Sequence, residues 1–266
     1  MAEAGDDLEL LVGAAREAGA LAMTFFRKDP KTWAKGESSI VSEADIALDR
    51  LLFSRLTAAR PDYGWLSEET ADDLARLSRP RVFVVDPIDG TRGFLAGGEE
   101  WTVSLAVVEN GYPVAAALFA PSLDVMFEAT AGGGATRNGH PMQVSPRSEL
   151  AGASVAGSRR LVRDALEFAS VPLDYHGFVT SLAYRFALVA TGAIDAAIAR
   201  PGSHDWDLAA ADLLVHEAGG RLADLAGNRP RYNEREPRHP TLLATTSALG
   251  GAMAELVKKA ERAQAT

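Results

Sequence analysis

Arg81-Val82-Phe83-Val84-Val85-Asp86-Pro87-Ile88-Asp89-Gly90-Thr91 is the stretch that decides the fold of this 266-residue chain. Residues 81–85 form a β-branched and aromatic run, long enough for a buried strand and too short for a helix. Pro87 offers no N–H to a sheet ladder and restricts the residue before it, so the strand is predicted to stop at Asp86. Gly90 permits a turn, and Thr91 stands where a helix or tight loop begins. Two carboxylates, Asp86 and Asp89, thus arrive at a strand's carboxyl end, followed by backbone N–H groups. Acids in that place suit a cation, and amides suit a phosphate. The plain alternative is a surface turn, because Asp-Pro and Asp-Gly are common turn dipeptides.

Upstream, Leu8, Leu11, Ala15, Ala18 and Leu21 recur at helical spacing, which predicts an amphipathic helix from about Asp7 to Phe26. A polar loop is expected over 27–39, interrupted by Pro30 and Gly36, and then a helix from about Ser42 to Ala59. Ser42 and Asp45 bracket its first turn in a near capping box. Tyr63 to Ser67 reads as a short strand delivering Glu68 and Glu69, with a helical, acidic connection to Arg81. Downstream, Trp101–Glu109, Pro113–Ala120 and Asp124–Thr130 read as a meander, with Asn110-Gly111 as a hairpin turn.

From about Gly152 the pattern changes to strand alternating with helix. Strands are expected at 154–156, 193–199 and 241–245, and helices at 160–169, 182–191, 206–218 and 252–263. The expected fold is a layered α/β protein in two parts. Residues 1–150 form an N-terminal α+β subdomain with most of the acids, and residues 151–266 form a C-terminal α/β subdomain.

Composition narrows the function. The formal net charge of −9 argues against a surface that coats nucleic acid. Cysteine is absent, which excludes disulfides, zinc–thiolate sites and thiol nucleophiles. No apolar run approaches the roughly 18–20 residues of a membrane span. The acidic N-terminus lacks the basic and apolar regions of a signal peptide, so a cytoplasmic protein is expected.

A third acidic segment, His204-Asp205-Trp206-Asp207, opens a predicted helix. Capping the helix would by itself explain Asp205 and Asp207. With Glu68, Glu69, Asp86 and Asp89, however, the chain brings five or six carboxylates to strand ends and helix starts. Hard oxygen ligands select Mg²⁺ or Mn²⁺ over zinc or copper. Carboxylates shared between two such ions suit phosphate-ester hydrolysis.

Four segments together resemble the inositol monophosphatase superfamily of magnesium-dependent, lithium-sensitive phosphomonoesterases: Ile40 to Asp45, Leu66 to Glu69, Asp86 to Thr91, and Trp206-Asp207 running on to Glu217-Ala218-Gly219-Gly220. The resemblance covers about residues 8–245 and implies the layered fold of that group. It implies two to three Mg²⁺ ions, with Mn²⁺ as a substitute and Li⁺ as an inhibitor. Glu68, Asp86 and the carbonyl of Ile88 would hold the first ion, Asp86, Asp89 and Asp207 the second, and Glu68 would help hold a weaker third. Thr91, paired with Asp45, would activate the attacking water, and the N–H groups of Gly90 and Thr91 would hold phosphate oxygens. Lys35 lies in the loop that closes over the metals in similar proteins. A solvated lysine is the plain alternative there.

The substrate is expected to be a small phosphorylated metabolite. In inositol-preferring relatives a glutamate precedes the histidine of this segment by about four residues, and Arg200 takes that place before His204. Arg185 aligns with a lysine of the 3'(2'),5'-bisphosphate nucleotidases. Two arginines beside the pocket would suit a second phosphate, against the plain reading of exposed, surface-paired side chains. The balance leans to adenosine 3',5'-bisphosphate, with inositol 1-phosphate close behind, then histidinol phosphate and fructose 1,6-bisphosphate. The inositol branch implies a homodimer and the nucleotidase branch a monomer. A different class of function, a regulatory protein of the same fold that binds partners of the transcription machinery, is disfavoured by the filled ligand positions.

Overall fold

The computed structural model describes residues 2–35 and 39–264. Helix α1 (Ala2–Phe25) buries Leu11, Ala14, Ala15, Ala18 and Ala22. Next comes an antiparallel ribbon, β1 (Thr32–Lys35) and β2 (Ser39–Ser42), where the sequence reads as a loop. The ribbon leaves Trp33 and Ile40 exposed, and of its described side chains only the adjacent Val41 and Ser42 are buried, which gives no inward–outward alternation to read. Its intervening residues 36–38, including Gly36, lie outside the described residues.

Helix α2 (Glu43–Ala59) starts with the expected capping box: the Ser42 and Asp45 side chains each accept the other residue's backbone N–H. Strand β3 (Gly64–Ser67) follows. The acidic connection is a short 3₁₀ turn, Leu74–Ser78, in place of the expected helix. Strand β4 runs Arg81–Asp89 and is buried along its whole length. It does not stop at Asp86. Its pairing with the next strand slips between Asp86 and Asp89, and Pro87 sits in that irregularity, where no ladder N–H is required of it.

After helix α3 (Thr91–Leu95) the meander appears as expected: β5 (Thr102–Glu109), β6 (Tyr112–Ala120) and β7 (Val125–Thr130). Asn110 and Gly111 turn the first hairpin at φ 54° and 84°, the left-handed pair that such a turn requires. Short strands β8 (Gly134–Arg137) and β9 (His140–Pro141) complete a seven-stranded sheet in the order β3-β4-β5-β6-β7-β8-β9.

The second half holds β10 (Ser154–Ala156), α4 (Arg159–Glu167), β11 (Asp174–Gly177), α5 (Leu182–Ala190), β12 (Ala196–Ala199), α6 (Asp205–Glu217), β13 (Gly220–Asp224), β14 (Leu242–Thr246) and α7 (Gly250–Gln264). Its five strands form a second sheet, ordered β11-β10-β12-β14-β13. The sequence did not signal β11 or β13. Asp174-Tyr175-His176-Gly177 is a polar edge strand, and Gly220 to Asp224 is a short mixed run.

The layers alternate. One core lies between α1, α2 and the outer face of the first sheet. The central core joins both sheets through α5 and α6. The third lies between the second sheet, α4 and α7. Helix α6 is enclosed on nearly every side, and Ala209-Ala210-Ala211 lets the sheets approach it closely. Glu217 at its end accepts the N–H groups of Gly132 and Gly134 at 2.8 and 2.9 Å, which ties the helix to the β7–β8 turn.

Candidate active site

Three elements converge at the carboxyl end of β4. Glu68 leaves β3, Asp86 and Asp89 end β4, and Asp207 sits in the first turn of α6. Glu68, Asp86 and Asp207 each offer a carboxylate oxygen within 4.8 Å of the others. Asp86 accepts the N–H of Ile88 at 3.0 Å. The Oδ2 of Asp89 is held by Ser181 Oγ–H at 2.5 Å and by the N–H of Ala183 at 2.7 Å, at the start of α5. Asp207 Oδ2 accepts the N–H of His204 at 2.7 Å.

Gly90 makes the turn from β4 into α3 at φ 92°, and a Cβ there would lie 3.0 Å from the backbone nitrogen of Ser181. Glycine is therefore required both by conformation and by space. Thr91 follows, its Oγ1 lying 3.1 Å from Asp45 Oδ1 and 3.1 Å from the carbonyl of Ile88. One hydroxyl proton serves one of these at a time. Asp45 is itself fixed by the N–H and hydroxyl of Ser42, at 2.8 and 2.5 Å.

The electrostatics run one way. Burial raises the pKa of Asp86 well above the ordinary carboxylate value, and the charges of Glu68, Asp89, Asp207 and Asp45 raise it further. Burial and the charge of Asp89 push Asp207 up to about 7, against the lowering effect of the His204 N–H. Burial also raises Asp45 and Asp89, although each accepts hydrogen bonds that oppose the shift. Among the described residues no lysine or arginine forms an ion pair with Asp86, Asp89 or Asp207. Buried like charges of this kind ionise together only beside a cation. An all-oxygen donor set of this density fits Mg²⁺ or Mn²⁺.

The substrate-side residues are placed as follows. His204 caps α6, stacks on Trp206 with ring centroids 4.5 Å apart, and lines a cavity of about 420 Å³ with Glu68, Arg235 and Arg238. Arg200 is exposed and lines a neighbouring cavity of about 310 Å³ with Asp207 and Arg185. Arg185 lines that cavity and departs from the exposed-surface reading. It is buried, so it is no surface residue, and its Nη1 and Nη2 donate to the carbonyls of Ile198 and Val179 at 3.1 and 2.6 Å. Those bonds tie α5 to β12 and hold the guanidinium at the cavity wall. Burial lowers its pKa, opposed by the charge of Asp89. The backbone of Lys35 ends β1, and its side chain lies outside the described residues.

Two supporting residues escape the sequence reading. Asp49, one helical turn after Asp45, accepts the hydroxyls of Ser67 and Thr70 at 2.5 and 2.7 Å and so brackets the turn that presents Glu68. Its signal is a carboxylate at helical spacing from Asp45 on a buried face. Ser181, the support of Asp89, has no signal beyond that of an ordinary helix cap.

The chain belongs to the inositol monophosphatase family, whose model matches residues 6–265. It is 31% identical over 264 residues to a protein of Xylella fastidiosa called Nus factor SuhB, covering 94% of each chain. It is 32% identical to an inositol-1-monophosphatase of Mesorhizobium japonicum, covering 85% of each. The inositol monophosphatase of Thermotoga maritima superposes with a TM-score of 0.86 at 25% identity, over 97% of this chain and 99% of that one. The layered α/β architecture is that of this family of phosphatases, and no helix among the described residues is long and apolar enough to cross a membrane.

Proposed function

We propose that this chain hydrolyses a small phosphate monoester with Mg²⁺, which Mn²⁺ replaces and Li⁺ inhibits. The observation that carries the reading is the group of mutually repelling carboxylates Glu68, Asp86 and Asp207 within 4.8 Å, with Asp89 beside it. In this reading residues 1–150 supply most ligands, including the Ile88 carbonyl, and residues 151–266 supply Asp207 and the substrate contacts. Bound divalent ions supply positive charge that lowers the pKa of water and offsets charge on the departing oxygen.

The chain's own groups do the rest. Thr91 Oγ1 accepts a proton from the attacking water while passing its own to Asp45, whose raised proton affinity suits it to receive one. The N–H groups of Gly90 and Thr91, at the start of α3, hold phosphate oxygens. Asp207, at the mouth of the Arg200 cavity, stands where the leaving alcohol departs.

For the alcohol, inositol 1-phosphate is the first choice. The two-arginine argument for adenosine 3',5'-bisphosphate loses strength once Arg185 is tied to Ile198 and Val179. Arg200 keeps that bisphosphate as the second reading, because it is exposed on the cavity beside Asp207. Histidinol phosphate stands third, since a Mycobacterium tuberculosis histidinol-phosphatase is 34% identical over 238 residues. A regulatory role, suggested by the name Nus factor, needs no filled carboxylate cluster.

The test is phosphate release with Mg²⁺ from inositol 1-phosphate and adenosine 3',5'-bisphosphate, with and without Li⁺. Asp89→Asn is expected to abolish release and keep the fold. Near-normal turnover in that variant would sink the metal assignment.

A further inference from the structure

Beside the carboxylates lies a second polar assembly that the proposed hydrolysis does not use. Its centre is Arg76, in the Leu74–Ser78 turn and only 2% exposed. Its Nε and Nη2 donate to the two oxygens of Asp72 at 2.7 and 2.9 Å, a two-pronged pairing. Its Nη1 donates to Asn233 Oδ1 at 2.6 Å, and Nη2 also donates to the carbonyl of Glu234 at 2.9 Å. Asn233, held at φ 60°, donates its N–H to Asp205 Oδ2 at 2.7 Å. The other oxygen of Asp205 meets His239 Nε2 at 2.7 Å.

The ends of this assembly matter. Asp72 follows Glu68 by four positions, and Thr70 between them is anchored to Asp49. Asp205 opens α6, two positions before Asp207. The bonds of Arg76 therefore run unbroken from the segment that presents Glu68 to the helical turn that presents Asp207. Glu68 is fixed to β4 through its N–H to Val85, and Asp207 is fixed to its own helix. Among the described residues no sheet ladder joins the two.

We propose that Arg76 is a positioning residue for the metal centre, setting the separation of Glu68 from Asp207 through Asp72 on one side and Asn233 and Asp205 on the other. This rests on the reading of the carboxylates as a cation site. The physical need is plain: like charges push the two ligands apart, while a small divalent ion demands a fixed oxygen geometry. A planar guanidinium with four short bonds resists that push better than a flexible ammonium would. Supporting bonds behind metal ligands typically change affinity by about 10–100-fold.

The test is Mn²⁺ binding, read from the electron paramagnetic resonance of the free ion, beside thermal unfolding. Arg76→Met, Asp72→Asn and Asn233→Ala are compared with wild type and with Arg81→Lys. Arg81 is a second buried arginine, bonded to Asp7, Tyr63 and Glu109 and without a bond to the site. Arg76→Met and Asp72→Asn are expected to bind Mn²⁺ about tenfold more weakly, and Arg81→Lys to lose stability but keep its affinity. If Arg76→Met does not fold, Asp72→Asn carries the test, because that side chain is 32% exposed and its loss is tolerable. Asp72→Asn with Asn233→Ala is expected to lose no more affinity than the worse single variant, as parts of one brace. Folded Asp72 and Asn233 variants with wild-type affinity would overturn the proposal. So would strictly additive losses, or an equal loss in Arg81→Lys. Wild-type protein that binds no Mn²⁺ would remove the cation reading itself, and the proposal with it.

Discussion

Strand β4 carries a buried group of charges at each end, and the two groups are built to opposite rules. At its start, Arg81 donates to Asp7 at 2.8 Å, to Glu109 at 2.9 Å and to the Tyr63 hydroxyl at 3.1 Å. Asp7, fully buried, also takes Arg60 at 3.0 Å and the Tyr63 hydroxyl at 3.0 Å. Every acid there meets a cation from the chain itself. At the other end of this nine-residue strand, Asp86 and Asp89 meet Asp207 and Glu68, and the raised pKa values follow from burial and from each other. The first arrangement holds α1 and α2 to the sheet and needs nothing further. In the second, no lysine or arginine among the described residues pairs with Asp86, Asp89 or Asp207, and that lack suits these carboxylates to a cation.

The largest expected effect tests that contrast directly. Asp86→Asn removes the most strongly perturbed carboxylate and, in this reading, a ligand to two ions. Phosphate release should fall by at least ~10³-fold, equivalent to about 4 kcal/mol. The metal-free variant should nevertheless melt higher than wild type, because a repelled buried charge has gone. A lower melting temperature would show that Asp86 is compensated after all. The converse change at the other end is Arg81→Met, which removes one of the two cations beside Asp7 and the cation beside Glu109. Removing one partner of a buried pair costs about 3–5 kcal/mol, read by urea unfolding. The same change at a group that needs no outside ion should leave Mn²⁺ affinity as it was.

The next effect is in pH. An acid with a raised folded-state pKa holds more protons folded than unfolded between its two pKa values, so stability falls as pH rises through that window. For Asp207 the window runs from 3.8 to about 7, and Asp45, Asp86 and Asp89 shift in the same direction. In chelator, the melting temperature should drop between pH 5 and pH 8, by about 3 °C for each kcal/mol. Excess Mg²⁺ should remove the drop. A flat profile in chelator would break the comparison between the two ends of β4.

Much of this was legible in the sequence because it is local. The run 82–85, the Asn110-Gly111 turn and the Ser42–Asp45 capping box each encode their structure within a few residues. The candidate ligands were legible for a related reason: acids at strand ends and helix starts are conspicuous by type and place. The unread parts depend on contacts between distant segments. Pro87 remains in β4 only because β5 accommodates a slip opposite it. Arg185 looks like a free cation until the carbonyls of Val179 and Ile198 take it. Asp49 and Arg76 look like surface charges until Ser67, Thr70 and Asn233 close on them. Spacing along the chain reports which residues are near in sequence, and these supports are built from residues up to 158 positions apart.

The smallest expected effect separates charge from position at Asp89. Its Oδ2 has neutral donors only, Ser181 Oγ–H and the N–H of Ala183, and these restrain its pKa without cancelling the effect of burial. Ser181→Ala removes the hydroxyl donor, so the Asp89 pKa should rise further and Mn²⁺ must displace more proton to bind. A loss of about 1 kcal/mol gives roughly fivefold weaker Mn²⁺ binding near pH 7. The same substitution also removes the cap of α5, where Ser181 Oγ accepts the Tyr184 N–H at 2.9 Å, at a cost of about 1 kcal/mol that does not depend on pH. The two consequences part as the pH rises. Asp89 then ionises more fully in both proteins, so the affinity deficit should narrow while the stability deficit remains. A deficit in affinity that does not narrow as the pH rises would mean that Ser181 serves by placing α5 against Asp89, and that neutral donors do little to moderate the charge at this end of β4.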